Sequence, residues 1–378
     1  MKAICINCFD HYEERTSHIE RALESRGYST THIISDFNHN MKKKYETDRN
    51  NVIHIPTFSY RKNLSVRRMI SHIIFARSTY KVVKKETPDL VYVLFPPNFV
   101  ARYMAKYKRK NRKTRLILDI FDLWPESFPT KKNIISSIFF KGWAHIRNSS
   151  LPYADILLIE CGLYNTILEM QKLQVESHLL YLGKDFITSD IPNKIDIETI
   201  NIAYLGSLNN VIDINLMCKL LEEINLYRPV ILHIIGAGEN SSLFIEKADK
   251  VVAEVKFYGK IYDFDIKKRI FDKCYFGLNI MKSSVVVGLS IKTIDYFQAG
   301  LPIINNVGAD TKQIIEDYGV GLNVTEENID DIAKKIPHLD LNEIIKMKQK
   351  TINYFERNFS SNVIHDRINE ILDEKVFP

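Results

Sequence analysis

Long apolar runs are missing from this chain of 378 residues. No window reaches the roughly 18 consecutive apolar residues that a membrane-spanning helix requires, so the sequence predicts no transmembrane segment. The first residues, MKAICINCFDHYEER, turn polar within about ten positions, and we therefore expect no signal peptide. Both absences favour a protein that works in the cytoplasm.

Cysteine is also scarce, with five residues that are too scattered for a disulfide framework: Cys5, Cys8, Cys161, Cys218 and Cys274. A reducing compartment fits this usage. Cys5 and Cys8 form a C-x-x-C pair, but no second Cys/His pair accompanies them to complete a zinc site. We interpret this pair as core packing.

No compositional bias of a fibrous or disordered chain is present. Hydrophobic residues make up 45% of the sequence and charged residues 26%, as in an ordinary globular protein. The length predicts about two to three domains, each with enough chain to bury a core.

Charge is distributed unevenly along the chain. Residues 1–150 carry 28 Lys+Arg against 13 Asp+Glu, whereas the remainder carries 24 against 33. Most of the excess lies in 41–115, which has 20 basic and 4 acidic residues. Such a stretch predicts an anionic partner: membrane phospholipid, a pyrophosphate-linked substrate or nucleic acid.

Apolar runs of strand length alternate with helical periodicity twice along the chain, which is typical of parallel sheets flanked by helices. The pattern predicts strands near 2–8, 30–35, 52–55, 89–94, 115–120, 155–160, 201–205, 230–235, 254–258, 275–279 and 302–305. The fold class is therefore α/β, with two doubly wound, Rossmann-like domains that we expect to face each other across a cleft. We place an N-terminal domain at 1–182, a C-terminal domain at 183–340, and helices at 341–378 that pack back toward the N-terminal domain.

Small and charged residues follow several strands of the second half. Gly206 and Ser207 would let backbone N–H groups approach a phosphate, although both are ordinary turn residues as well. Gly236 and Gly259 also end strands. Lys292 and Asp295 lie one helical turn apart and suit a pyrophosphate and a ribose, unless they form a surface ion pair.

The order of the segments IAYLGSL, LHIIGAGEN, VKFYGKI, FGLNIM, GLSIKTIDYFQAGLPIINN and YGVGLNV resembles that of the GT-B glycosyltransferases. Within them it is similar to the family 4 type that assembles bacterial capsule, exopolysaccharide and surface glycans. The resemblance implies a hexosyltransferase whose second domain holds a nucleotide sugar, UDP-linked by our expectation. The resemblance also implies that the protein needs no cofactor and no metal. It places the following residues at the donor: Lys184, Gly206, Ser207, Asn209, Gly236, Gly259, Ile261, Ser290, Lys292 and Asp295.

Several positions depart from the family pattern. Asp295 matches the second acid of the E-x7-E motif, but Val287 stands where the first acid is expected. This departure leaves the stereochemical outcome and the donor sugar open. The usual Lys-Gly after the Gly206 loop is also absent, so another cation must neutralise the leaving diphosphate. Lys292 is our first choice and Lys184 our second.

The acceptor side of the resemblance lies in LILDIFDLWPES. Asp122 and Glu126 are candidate general bases, and Trp124 could stack on a sugar. The alternative is that Asp122 caps a turn and Trp124 fills the edge of the domain. We expect Arg15 to contact the acceptor as well. The loop after the first strand lacks the Gly-Gly of the family.

Two further segments admit a structural and a functional interpretation. The apolar helix 134–146 could lie at an anionic membrane surface together with the basic stretch, or it could be an ordinary helix with a buried face. The Asp263-Phe264-Asp265 triplet favours a helix cap over a metal site.

The sequence thus predicts a cytoplasmic glycosyltransferase at the inner face of the membrane that extends a polyprenyl-linked or protein-linked glycan. It leaves the oligomeric state open, a homo-oligomer included. The alternatives are a non-catalytic subunit of a partner transferase, a sugar-nucleotide epimerase of the same architecture and a nucleic-acid-binding protein. We expect no nucleic-acid partner, since no nucleic-acid motif accompanies the basic stretch.

Overall fold

A computed structural model describes residues 1–9, 13–39, 41–47, 49–61, 65–128, 134–173, 175–186, 191–192 and 195–375. Residues 10–12, in the loop that departs from the family pattern, lie outside the described residues. The chain divides into two compact units. The first is Met1–Gly183 with Ser361–Pro378, and the second is Lys184–Ser360.

The first unit is built on a parallel sheet with helices between the strands. Its elements in chain order are β1 Lys2–Asn7, α1 Glu13–Glu24, β2 Ser29–Ser35, β3 Phe37–Asn38, β4 Lys43–Lys44, β5 Val52–Ile55, α2 Val66–Glu86, β6 Leu90–Phe95, α3 Asn98–Lys110, β7 Arg115–Ile120, α4 Ile134–Asn148, β8 Ile156–Ile159, α5 Leu163–Ile167, α6 Met170–Leu173 and β9 Ser177–Leu179.

Seven strands form this sheet in the order β5-β2-β1-β6-β7-β8-β9, and every pairing is parallel. Strands β3 and β4 form a separate antiparallel pair. All six residues of β6 are buried, as expected for a central parallel strand covered by helices on both faces. Cys5 and Cys8 are buried and are not joined in a disulfide, in agreement with a packing role.

The second unit repeats this architecture. Its elements are β10 Ile200–Leu205, α7 Ile214–Asn225, β11 Val230–Ile235, α8 Ser241–Asp249, β12 Glu254–Gly259, α9 Phe264–Phe271, β13 Phe276–Asn279, α10 Ile291–Gln298, β14 Ile303–Asn305, α11 Ala309–Tyr318, β15 Gly321–Asn323, α12 Ile329–Lys335 and α13 Leu341–Asn358. The strand order is β12-β11-β10-β13-β14-β15, again all parallel.

Side-chain caps fix where several helices of this unit begin. Asp213 starts α7 by accepting a hydrogen bond from the backbone N–H of Leu216 at 3.0 Å. Asp263 starts α9 in the same way, which confirms that the Asp-Phe-Asp triplet contains a cap. Asp340 forms a capping box with Glu343 at the start of α13.

The tail predicted at 341–378 divides between the two units, which corrects our expectation for its first helix. Helix α13 packs on α10 of the second unit, because its buried face, which includes Ile352 and Phe355, completes that core. Only the last helix, α14 (Ser361–Lys375), packs on α1 of the first unit. Within the described ranges, no helix combines the length and apolar character needed to cross a membrane.

Candidate functional site

Three strands of the second unit end in glycines whose backbones contact one another. Gly206 follows β10 with φ +123°, and Gly236 follows β11 with φ +145°, both in a region that favours glycine. The N–H of Gly206 donates to the carbonyl of Ile235 at 2.9 Å, and the N–H of Gly236 donates to that of Gly259 at 2.6 Å. A methyl group on Gly236 would lie 1.9 Å from the Gly206 carbonyl oxygen. The glycines therefore hold three loops together at the carboxyl edge of the sheet.

Three further residues that were predicted to contact the donor differ in their surroundings. Ser207 is exposed beside Gly206. The side-chain oxygen of Asn209 accepts the N–H of Val211 at 3.1 Å, so it shapes the turn before α7. Ile261 lies half-buried in the loop between β12 and α9. These three residues stay predictions as donor contacts.

Lys292 lies against this glycine platform. Its side-chain Cδ is 3.3 Å from the position a Cβ would take on Gly206, and its Nζ lies 5.0 Å from the centre of the Tyr204 ring. The Nζ atom is buried and has no hydrogen-bond partner among the described residues. Burial lowers the pKa of Lys292 to about 8. A buried amine without a partner is costly, and an anion beside Gly206 would remove that cost.

Asp295 pairs with Lys184 and not with Lys292. The Nζ of Lys184 donates to the Asp295 carboxylate, and the backbone N–H of Lys184 donates to the Phe359 carbonyl at 2.9 Å. The surface ion pair that we considered between Lys292 and Asp295 is therefore wrong. Because Lys184 is already paired, Lys292 is the better placed of the two candidate cations for a diphosphate.

Ser290 begins α10, since its hydroxyl oxygen accepts the N–H of Thr293 at 3.2 Å. The same hydroxyl donates to the side-chain oxygen of Asn279 at 2.9 Å, and the residue is buried. The hydroxyl is thus committed to the helix start. As a donor contact, Ser290 stays a prediction.

In the first unit, Asp122 and Trp124 follow β7 and contact each other. The indole N–H of Trp124 donates to one carboxylate oxygen of Asp122 at 2.6 Å, and the Ser127 hydroxyl donates to the other at 2.6 Å. Burial raises the pKa of Asp122. Trp124 is 5% exposed. These contacts agree with the structural alternative for both residues, in which Asp122 caps the turn and Trp124 fills the edge.

Glu126 and Arg15 have structural partners. Both carboxylate oxygens of Glu126 accept from the Arg147 guanidinium, at 2.7 and 2.9 Å, and Arg147 is buried. Such an engaged carboxylate is a poor general base, which argues against that prediction for Glu126.

Arg15 is 2% exposed and makes a two-point ion pair with Asp119, at 2.8 and 2.9 Å. Its remaining nitrogen donates to the carbonyls of Leu180 and Tyr181. Arg15 therefore stabilises the fold, and its burial argues against the expected acceptor contact.

Sequence reasoning missed two features of the first unit. Glu160, directly after β8, is 7% exposed, and burial raises its pKa to about 8. Arg68 and His72 from α2 flank Trp124. The guanidinium lies 4.4 Å from the indole centre and the imidazole stacks on it at 5.8 Å. An acidic residue at the end of an apolar strand was a usable signal for Glu160, whereas nothing local placed α2 beside Trp124.

Among the described residues, no group of three or more His, Cys, Asp or Glu side chains is placed to hold a metal ion.

Solved structures of the same architecture cover almost the whole chain. Sucrose-phosphate synthase from Thermosynechococcus elongatus matches with a TM-score of 0.72 at 10% identity, over 99% of this chain and 98% of that one. The apo form of the lipopolysaccharide outer core galactosyltransferase WaaB matches with 0.70 at 16% identity, over 99% and 100%. Anabaena Alr3699/HepE in complex with UDP matches with 0.69 at 13% identity, over 99% and 100%. The chain thus has the GT-B fold, and the predicted fold class is confirmed.

The second unit also has a sequence relationship. Residues 186–358 match the family model described as Glycosyl transferases group 1, so the chain contains a domain of that family. No curated protein matches the chain.

Proposed function

We propose that this protein is a glycosyltransferase that takes a sugar from a UDP-linked donor and passes it to a lipid-linked or protein-linked glycan in surface polysaccharide assembly. The observation that carries the proposal is the buried, unpartnered Nζ of Lys292 against Gly206, within a glycosyl transferases group 1 domain. The nucleotide sugar is a substrate and not a resident cofactor.

UDP is supported as the nucleotide by the similar structures of Alr3699/HepE with UDP and with UDP-glucose. The glycan acceptor is supported by the name of WaaB, a lipopolysaccharide outer core galactosyltransferase. The basic excess in 41–115 supports work at the inner face of an anionic membrane.

The proposed chemistry gives one role to Lys292 and another to Asp122. An acceptor hydroxyl oxygen bonds to the anomeric carbon, the bond from that carbon to the diphosphate breaks, and UDP leaves. Lys292 and the N-terminus of α10 would balance the charge on the departing diphosphate, which is the main contribution expected of the protein. Asp122 is our candidate for the hydroxyl proton, because burial raises its pKa and its partners Trp124 and Ser127 are neutral, unlike the guanidinium that holds Glu126.

Calorimetry of the full chain with UDP, GDP and CMP tests the donor site. UDP should bind selectively, and Lys292→Ala should weaken it about tenfold or more, the worth of one charge-assisted contact. Lys219→Ala, which removes an exposed lysine of α7, is the matched control and should bind normally. Unchanged UDP affinity in a folded Lys292→Ala variant would remove Lys292 from the site.

Asp122→Asn separates binding from turnover. The variant should keep UDP affinity and lose about a hundredfold in sugar transfer to a lipid-linked acceptor. The valine at 287 gives one specific reason to keep the non-catalytic subunit as a second candidate. UDP binding without transfer to any acceptor would favour that candidate, and release of an isomerised UDP-sugar would indicate an epimerase.

A further inference from the structure

Strand β12 is an exposed edge of the parallel sheet in the second unit. Glu254, Phe257 and Tyr258 of this strand are all exposed. The other strands at the edges of the two parallel sheets are β5, β9 and β15, which are each described in full and contain no exposed residue. An edge strand presents a row of backbone N–H and C=O groups to which another strand can pair. Strand β12 is the edge that is open to such pairing.

The backbone of β12 directs the hydrogen-bonding groups of every second residue away from β11. The N–H of Ala253, just before the strand, donates to the carbonyl of Val230 at 3.0 Å, so Ala253 faces β11. Backbone groups alternate between the two sides along a strand. The N–H and C=O groups of Glu254, Lys256 and Tyr258 therefore point to the outer side of the sheet. This row is the template for a further strand.

The side chains of this edge are aromatic, and the two charges among them cancel. Phe257 is 46% exposed and Tyr258 is 39% exposed. The Tyr258 hydroxyl lies 2.9 Å from Nδ1 of His233, and the two rings stack in nearly parallel planes, so the tyrosine is held in place. Natural edge strands often carry a lysine whose charge prevents pairing. Here Lys256 forms an ion pair with Glu254 at 3.3 Å, which weakens that protection.

A second copy of this chain matches the edge in one antiparallel register. Pairing centred on Lys256 would set two lysines directly opposite each other, which is destabilising. Pairing centred on Phe257 sets Phe257 opposite itself and Lys256 opposite the second copy's Tyr258. It also sets Glu254 opposite the second copy's Lys260, on both sides of the axis. This register covers both exposed rings and places opposite charges together.

We propose that two copies of this protein pair through antiparallel β12 strands, about a two-fold axis at Phe257, so that their sheets join into one. Pairing centred on Val255 would also set opposite charges together, but it would leave both aromatic rings at the ends of the paired segment. Because the paired strand is short, the dimer should dissociate on dilution. The inference concerns assembly and does not depend on the proposed function.

Sedimentation of the full chain over a range of concentrations tests whether the edge is an interface. The wild-type protein should approach twice the mass of the chain as its concentration rises. Lys256→Pro removes one outward N–H, which an edge strand tolerates, and should leave a folded monomer. Lys256→Ala is the matched control, since it loses the same side chain but keeps the N–H, and should still form the dimer. Urea denaturation shows that both variants are folded.

A cysteine on the proposed axis tests the register. Directly opposite residues of a non-hydrogen-bonded antiparallel pair have Cα atoms about 4.5 Å apart, a separation that a disulfide can span. Phe257→Cys should therefore give a covalent dimer on treatment with the thiol oxidant diamide. The five native cysteines are buried and should not compete. Tyr262→Cys is the control, because this side chain is 84% exposed but lies away from the axis, and it should remain largely uncrosslinked.

Three outcomes would overturn the proposal. The first is a wild-type protein that stays monomeric at every concentration. The second is a dimer that persists in Lys256→Pro and is not crosslinked through position 257, which would mean that another surface forms the interface. The third is a monomer that binds phosphatidylglycerol vesicles and loses that binding with Phe257→Asp, which would assign the exposed edge to a membrane surface.

Discussion

Lys292 and Asp295 of α10 have separate neighbours in the structure. Lys292 and Asp295 are one helical turn apart, which suggested a pair. In the structure Asp295 pairs with Lys184, which is 111 positions away, and Lys292 lies over Tyr204. Helical spacing brings two side chains near each other, but a distant chain segment can supply the stronger partner.

Ion pairs with distant residues also argue against the predicted roles of Arg15 and Glu126. Their partners, Asp119 and Arg147, lie 104 and 21 positions away, and no local pattern links them. Both are charged residues that were predicted on the acceptor side, and both form ion pairs inside the fold. A position where the backbone requires glycine, such as Gly206 or Gly236, is therefore easier to predict from sequence than the partner of a charged side chain.

The lowered pKa of Lys292 predicts that UDP affinity depends on pH. Burial lowers it to about 8, so the charged form is lost as the pH rises through that value. UDP affinity should therefore fall between about pH 7 and about pH 9, a range in which an ordinary lysine stays charged. Binding of the anion should also draw a proton onto Lys292, detectable by calorimetry in buffers of different ionisation enthalpy.

Lys292→Arg is the control for this pH dependence. Arginine keeps its charge throughout the range, so the UDP affinity of the variant should be independent of pH even if its absolute value is lower. A flat profile in the wild-type protein, matched by the variant, would show that the Lys292 charge does not contribute to binding.

Secondary-structure elements were predictable where the apolar pattern was long. The predicted strands at 115–120 and 230–235 agree with β7 and β11 at both ends. The sequence analysis did not find β9 and β15, each of three residues, because SHL and GLN carry no strand pattern of their own. Their pairing with β8 and β14 makes them strands, and that is a tertiary effect.

The contact between the loops after β10 and β11 predicts that a larger side chain at Gly236 destabilises the protein. Gly236→Ala places a methyl group 1.9 Å from the Gly206 carbonyl oxygen, at a φ of +145°. The loops must separate, so we expect a loss of about 2 kcal/mol or more in the free energy of unfolding. UDP affinity should fall with it, because Gly206 moves relative to Lys292. Urea denaturation and calorimetry measure the two effects.

Gly308→Ala is the matched control, since this glycine has a φ of −76° and no atom within 4 Å of the added methyl group. This substitution should lower the free energy of unfolding by less than about 1 kcal/mol and leave UDP binding intact. Equal effects from both substitutions would mean that loop contact at Gly236 is not what matters.

The two units of the whole molecule differ in charge and in the partners that we propose for them. The basic excess lies in the first 150 residues, and the group 1 domain match lies in 186–358. Sequence alone predicted two Rossmann-like domains, but it assigned the whole tail to the first. The division between α13 and α14 could not be predicted, because both helices are amphipathic and the sequence does not show which apolar surface each one covers.

Helix α14 allows a test of whether the two units are stable independently of each other. Ile368, Ile371 and Leu372 of α14 surround a small apolar cavity together with Ile19, Ile117, Ile156 and Leu158 of the first unit. Ile368 is 2% exposed. Ile368→Ala should lower the free energy of unfolding of the first unit by about 2 to 4 kcal/mol.

The two units can be followed separately in this variant. Tryptophan fluorescence in urea reports the first unit, which contains both tryptophans, and calorimetry with UDP reports the second. Ile138→Ala, at a side chain that is 68% exposed, should change neither. Because α14 follows the second unit in the chain but packs in the core of the first, Ile368→Ala should destabilise the first unit while UDP affinity stays normal. A parallel loss of UDP affinity would show that the two units are coupled in stability.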